Sequence, residues 1–151
     1  MTKHLKILML LVFLSLVVLS GCENSATSLD ADKIKIKEAL ENEFNLIQMM
    51  PNVIKGKKNF LNNSISMVLS ERYTTKNSYE EIINYYDEQL KEHGWQFYKE
   101  EKLTDWGRDY GGKSVRYKKG DFVAIVQYAG EKADYGWTYG FAITWGLYEE
   151  K

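Results

Sequence analysis

The sequence predicts an α+β domain in which one main helix packs on an antiparallel sheet of about five strands, in the order β-α-β-β-β-β, after an N-terminal helix. Apolar and polar residues alternate in short segments between residues 64 and 148, as they do in half-buried strands. Residues 78–93 instead repeat their apolar residues at the spacing of an amphipathic helix. Consecutive strand segments follow one another closely, so they are expected to pair antiparallel.

The N-terminal helix is predicted over residues 31–44, ADKIKIKEALENEF, which is rich in helix-forming residues. Ile36, Leu40 and Phe44 recur at helical spacing, although the run IKIK could instead begin a strand. Pro51 ends whatever precedes it, because the residue before a proline disfavours the helical conformation. The segment around this proline is not assigned to an element.

The most clearly marked element is the main helix, which follows a predicted strand at 64–74. Ser78 and Glu81 form a capping box, S-x-x-E, at its start. A histidine followed by Gly94 supplies the stop. The predicted apolar face of this helix comprises Tyr79, Ile82, Ile83, Tyr86 and Leu90.

Strand segments dominate the remainder of the chain. The last of them alternates cleanly, with Tyr139, Phe141 and Ile143 on one face. The segment Lys118–Asp121 reads as a tight hairpin. The four segments therefore predict an antiparallel meander covered on one face by the main helix. They are residues 95–101, 113–118, 121–128 and 138–148.

Two predicted long loops carry aromatic residues that no strand or helix accounts for, and both contain the tripeptide Asp-Tyr-Gly, at 109–111 and 134–136. Alternate connections of a meander lie at the same end of the sheet, so the two loops are expected to meet there. If the strand at 64–74 runs parallel to that at 95–101, the start of the main helix joins them. Aromatic faces beside polar groups suit sugars or peptides, although the rings could instead close the end of the core. The candidate ligand-binding residues are Trp106, Arg108, Tyr110, Tyr135 and Trp137.

The string GRDYGGKS at 107–114 matches the phosphate-loop pattern G-x-x-x-x-G-K-[ST] at every fixed position. A phosphate loop joins a buried strand to a helix whose N-terminus faces the anion. Here the preceding segment, KEEKLTDW, is charged, and the following segment, VRYKKGDF, alternates like a strand. We therefore interpret the string as a glycine-rich loop joining two strands and expect no nucleotide.

Few residues are suited to metal or nucleophilic chemistry. Cys22 is the only cysteine, and His93 is the only histidine beyond the first 22 residues. A His/Cys zinc site and a Cys–His dyad are thereby excluded within one chain, and we expect no metal and no cofactor. The formal net charge of −1 favours neither nucleic acid nor a basic membrane-binding face. The possibility that a pair of carboxylates catalyses hydrolysis stays open.

The first residues are predicted to form an export signal. Lys3 and Lys6 precede an almost wholly apolar run at 7–19, too short to span a bilayer and typical of a signal peptide. The run ends in LSGC at 19–22, where the chain resembles the bacterial lipoproteins at every position of their lipobox. The resemblance implies cleavage before Cys22 and its lipidation, for example with palmitate, which would hold the protein on a membrane.

These observations predict four regions along the chain. The region after the signal peptide has about 130 residues, enough for one domain. Its small polar start is predicted to be a flexible tether. The regions are a signal peptide at 1–21, a lipidated tether at 22–30, an N-terminal helix with a connecting segment at 31–62, and the α+β domain at 63–151.

The sequence thus predicts a bacterial cell-envelope protein, anchored by lipid at Cys22, whose domain lies outside the cytoplasm. We expect a non-enzymatic module that binds a partner protein or a cell-wall glycan. One alternative is a small envelope hydrolase with a carboxylate pair. Another is a purely structural envelope lipoprotein.

Replacing Cys22 with alanine is expected to leave the protein without acyl chains, so that it leaves the detergent-soluble membrane fraction. Each buried methylene of an acyl chain contributes about 0.8 kcal/mol to membrane binding. Intact-mass measurement checks the assignment directly. A wild-type protein without added acyl mass would contradict the lipoprotein resemblance.

Overall fold

The computed structural model describes residues 24–146, so the predicted signal peptide, Cys22 and the last residues lie outside the described part. The chain divides into two compact units after Ile36. The described residues of the first unit are helical and include an ion pair between Lys35 and Asp32, 3.8 Å apart. Among residues 24–146, neither helix combines the length and the apolar composition that spanning a bilayer requires.

The N-terminal helix, α1, spans Asn24–Leu46 and so begins before residue 31, where the sequence predicted its start. Residues 24–30, predicted as part of a flexible tether, are helical. Its Asn, Ser, Thr and Asp residues have modest helix propensities, but neither glycine nor proline interrupts the stretch. The role of the segment as a link to a lipid anchor stays a prediction.

The second unit, from Lys37 onward, is built on one six-stranded antiparallel sheet with the strand order β1-β2-β6-β5-β4-β3, which confirms the α+β class. The last four strands form the expected meander. The chain turns between β4 and β5 at Gly120, where φ is +56°. The elements after α1 are β1 (Ile54–Asn62), β2 (Met67–Thr74), α2 (Tyr79–Glu92), β3 (Gln96–Asp105), β4 (Arg108–Lys119), β5 (Phe122–Tyr128) and β6 (Tyr139–Trp145).

The sheet has one strand more than the sequence predicted, because β1 was not assigned. All nine residues of β1 are exposed, so burial imposes no alternation on it. It is an edge strand rich in lysine, and its register with β2 shifts between Lys55 and Lys58. The sheet therefore begins before residue 63, where we placed the start of the α+β domain.

One face of the sheet holds the core. The predicted capping box of α2 is present, with Ser78 Oγ accepting from the Glu81 backbone N–H and the Glu81 carboxylate accepting from the Ser78 N–H. Tyr86 of α2 stacks on Phe141 of β6 with ring centroids 5.1 Å apart. The hydroxyls of Tyr86 and Tyr139 lie 3.2 Å apart, and burial raises the pKa of Tyr139 to about 12. These contacts fix α2 over the centre of the sheet.

The string GRDYGGKS is not the loop that we predicted. Gly107 lies in a turn, but the other residues belong to β4, which pairs with β3 as far as Asp105 and Arg108. Lys113 Nζ lies 3.2 Å from Glu100 Oε1 and 4.1 Å from the centre of the Tyr79 ring. The chain then turns back as β5 instead of entering a helix. The string therefore lacks the strand–loop–helix arrangement that cradles phosphate.

Candidate binding site

The two aromatic connections lie at the same end of the sheet, as the meander predicted. The β5–β6 loop is held there because the Thr138 N–H donates to the Tyr73 carbonyl at 2.8 Å. The β2–β6 and β5–β6 pairings place the end of β2, from which the chain enters α2, beside this loop. Tyr73, Tyr128 and Tyr139 are paired across three neighbouring strands at that end.

The loop and β2 together form an aromatic ridge, defined here as Arg72, Tyr135 and Trp137. The rings of Tyr135 and Trp137 stack with centroids 5.8 Å apart and planes inclined by 21°. The Arg72 guanidinium carbon lies 5.1 Å from the centre of the Trp137 ring, within the range of a cation–π contact. Side chains from two distant segments of the sequence thus form one continuous row of contacts.

Tyr135 is also held from the other side. Its Oη donates to Asp105 Oδ2 at 2.8 Å, and this hydrogen bond raises the pKa of Tyr135 above its usual value. The ring of Tyr110 meets it nearly edge-on, with centroids 6.1 Å apart. The register shift between Leu103 and Thr104 leaves Tyr110 and Gly111 as extra residues on β4 and so re-aims the Tyr110 side chain.

A groove lies on each side of the ridge, and all three ridge residues line both grooves. The β3 groove has a volume of about 440 Å³ and the β1 groove one of about 500 Å³. Both are of a size found for small-ligand sites. Away from the ridge, the β3 groove is lined by Leu103, Thr104, Asp105, Tyr110, Gln127, Tyr128 and Ala129, and the β1 groove by Ile54, Lys55, Gly56, Lys57, Asn59, Thr74 and Gly136.

Of the candidates predicted from the sequence, Tyr110, Tyr135 and Trp137 converge, whereas Trp106 and Arg108 line neither groove. Trp106 is at the tip of the β3–β4 turn and is 97% exposed. Strand pairing continues up to Arg108, so the turn is too short to fold back over the sheet. The expected long loop is therefore a projecting hairpin.

The repeated Asp-Tyr-Gly has a backbone explanation. Gly111 and Gly136 both adopt a positive φ, +81° and +71°, which glycine accepts without steric cost. In the first copy, Asp109 Oδ1 accepts from the Gly111 N–H at 2.8 Å and so stabilises the bend. The tripeptide therefore turns the chain, and it is the tyrosine of each copy that reaches the site.

Sequence reasoning missed Arg72, Lys57 and Gln127. Arg72 is an outward residue of β2, and it reaches Trp137 because β2 pairs with β6, placing it opposite Gly140. Gln127 of β5 faces the same Gly140 from the other side. For Arg72 and Gln127 the one available signal was a polar residue at an outward position of an alternating strand, which is too common to identify a site. Lys57 had no such signal, because β1 does not alternate.

The described side chains that line the site are mainly aromatic and hydrogen-bonding groups. Within residues 24–146, no three His, Cys, Asp or Glu side chains are grouped so that they could hold a metal ion. Of the described residues that line the β3 groove, Asp105 is the one acid. In comparisons with known proteins, no family model matches the chain, and no curated protein or solved structure is significantly similar to it.

Proposed function

We propose that this protein is a lipid-anchored component of a bacterial cell envelope and that its domain binds a partner protein or a cell-wall glycan at the aromatic ridge. The observation that carries the proposal is the stack of Arg72, Trp137 and Tyr135 between two open grooves. The location rests on the lipobox at 19–22.

The ridge has the properties of a pre-organised binding surface. Its side chains are fixed by stacking and by the hydrogen bond from Tyr135 to Asp105, so a ligand orders few groups when it binds. Tyr135 is nevertheless 42% exposed, so part of its aromatic ring remains available for contact with a ligand. The amide of Gln127 and the hydroxyl of Thr104 supply hydrogen bonds beside the rings.

Binding is favoured over hydrolysis by the single acid among the described lining residues of the β3 groove. A glycosidase that uses two carboxylates needs them on either side of the bond to be cleaved. Asp105 has no such partner among the described residues of this groove, and it accepts a hydrogen bond from Tyr135. A purely structural role is disfavoured because the sheet ends in grooves instead of a flat surface.

Replacing Trp137 with alanine is expected to weaken partner binding by about 2 kcal/mol or more, roughly 30-fold, as for a central aromatic contact. The measurement is capture of partners from detergent-solubilised envelopes by the full-length protein. Trp106→Ala is the matched control, because Trp106 is exposed and lines neither groove.

Both variants are first checked for a folded state by their urea midpoints. Capture that falls in Trp137→Ala and stays unchanged in Trp106→Ala supports the proposal. Equal capture by the wild type and folded Trp137→Ala would refute it.

A further inference from the structure

The β1 groove differs from the β3 groove in charge. Its described lining residues include Lys55, Lys57 and Arg72. No aspartate or glutamate is among the described residues that line it. Lys55 is already compensated, because its Nζ lies 3.2 Å from Oε1 of the buried Glu71. Within residues 24–146, no carboxylate forms an ion pair with Lys57 or Arg72. The groove therefore presents two uncompensated cations.

A β-bulge brings these two cations together. Lys55 pairs with Tyr73 and Lys58 pairs with Glu71, so Gly56 and Lys57 on β1 both oppose Arg72 on β2. A Cβ on Gly56 would lie 2.8 Å from the Arg72 carbonyl oxygen, so glycine allows the close approach of the two backbones. The extra residue of a bulge leaves the regular ladder, which places Lys57 beside the arginine without pairing it.

Two contacts position Arg72. Its guanidinium carbon lies 5.1 Å from the centre of the Trp137 ring, and its stem runs over Gly140, where an added Cβ would lie 3.9 Å from Arg72 Cγ. No carboxylate among residues 24–146 forms an ion pair with it, so the planar fork of its N–H groups is available to a ligand. That fork matches the two oxygens of a carboxylate or phosphate.

The surroundings favour a sugar chain over a peptide. An extended peptide would be expected to add to the exposed edge of β1, but the bulge and the lysines interrupt that edge. The grooves instead offer side-chain hydrogen-bonding groups, namely Asn59, Thr104 and Gln127, on both sides of the ridge. Such groups suit a ligand rich in hydroxyls.

We propose that the ridge and the β1 groove bind an acidic saccharide, with an oxyanion of the sugar on Arg72 and Lys57 and a sugar ring against Tyr135 and Trp137. The inference rests on the proposed function and names its ligand class. Carboxylate and phosphate satisfy the same geometry, so the sugar's acidic group can be either.

The test is calorimetric titration of the detergent-solubilised full-length protein with defined probes. The acidic probes are an oligogalacturonate and a phosphorylated mannose oligosaccharide, which distinguish carboxylate from phosphate. The same mannose oligosaccharide without phosphate is the neutral control, and poly-glutamate represents an acidic peptide. We expect at least one acidic saccharide to bind at least about tenfold more tightly than the neutral one, with affinity falling as salt rises.

Variants assign the binding to the two cations. Arg72→Gln is expected to lose about tenfold or more in affinity, and Lys57→Gln a smaller factor of about threefold or more. Lys102→Gln, at an exposed position of β3 that lines neither groove, should leave affinity unchanged. An equal loss in Lys102→Gln would mean diffuse attraction and would overturn the site.

The remaining outcomes separate the two proposals. Equal binding of the neutral saccharide, or preference for poly-glutamate, overturns the acidic-saccharide inference and leaves the proposed function standing. The same holds if no saccharide binds but Trp137→Ala still loses its envelope partners. If no saccharide binds and Trp137→Ala captures partners like the wild type, both the inference and the proposed function fail.

Discussion

Replacing Trp95 with alanine is expected to lower the free energy of unfolding by about 3–5 kcal/mol, the usual cost of truncating a buried tryptophan. Trp95 follows the end of α2 and is 2% exposed. Its backbone N–H donates to the Leu90 carbonyl at 2.9 Å, which ties the residue to the last turn of the helix. Because the free energy of unfolding of a domain is only about 5–15 kcal/mol, this loss is a large fraction of the total stability.

Trp106→Ala is the matched control for Trp95→Ala. Its ring is 97% exposed, so its removal should change the free energy of unfolding by no more than about 0.5 kcal/mol. Trp106 also adopts a φ of +49°, which is unfavourable for any residue with a Cβ, so Trp106→Gly should stabilise by up to about 1 kcal/mol. The measurement is urea unfolding followed by far-UV circular dichroism. Similar midpoints for Trp95→Ala and the wild type would contradict this account of the core.

Replacing Gly130 with alanine is expected to lower the free energy of unfolding by about 3 kcal/mol or more, because backbone strain and a steric clash add together. Gly130 has a φ of +103°, and an added Cβ would lie 2.2 Å from the Tyr110 carbonyl oxygen and 2.7 Å from the Gly112 N. Both obstacles are backbone atoms, which cannot rotate away. The clash should displace Tyr110, so the variant should also bind its partner more weakly.

Gly136→Ala isolates the strain from the clash. Gly136 lies in the same loop with a φ of +71°, but an added Cβ would meet nothing within 4 Å. Gly136→Ala should therefore lower the free energy of unfolding by only about 1 kcal/mol. Thermal and urea unfolding of both variants provide the comparison. Equal losses in Gly130→Ala and Gly136→Ala would show that the close contact with β4 does not determine the loop position.

The elements that the sequence predicted well are those specified by neighbouring residues. The S-x-x-E box at Ser78 and the apolar spacing that follows determine α2, because a helix closes its hydrogen bonds within one turn. The meander follows from short connections between alternating strands. Since alternate connections of a meander share an end, Tyr110, Tyr135 and Trp137 could be grouped from the sequence.

The features that required the structure depend on strands far apart in the chain. β1 lies at an edge where burial imposes no pattern, and β4 is longer than its apolar residues indicate because pairing with β3 extends it. Both differences changed the site, since the longer β4 carries Trp106 away from the groove. Local periodicity reports burial, and exposed strands therefore escape it.

By itself, the sequence determined the α+β class, the capped helix, the meander and the end at which the aromatic loops meet. The tertiary structure alone decided that β2 enters the sheet beside β6, which brings Arg72 onto Trp137, and that the bulge in β1 adds Lys57. The physical reason is that strand pairing uses the same backbone hydrogen bonds everywhere. Side-chain pattern selects which face of a strand is buried, but the choice of a distant neighbour is made by the packing of the whole sheet.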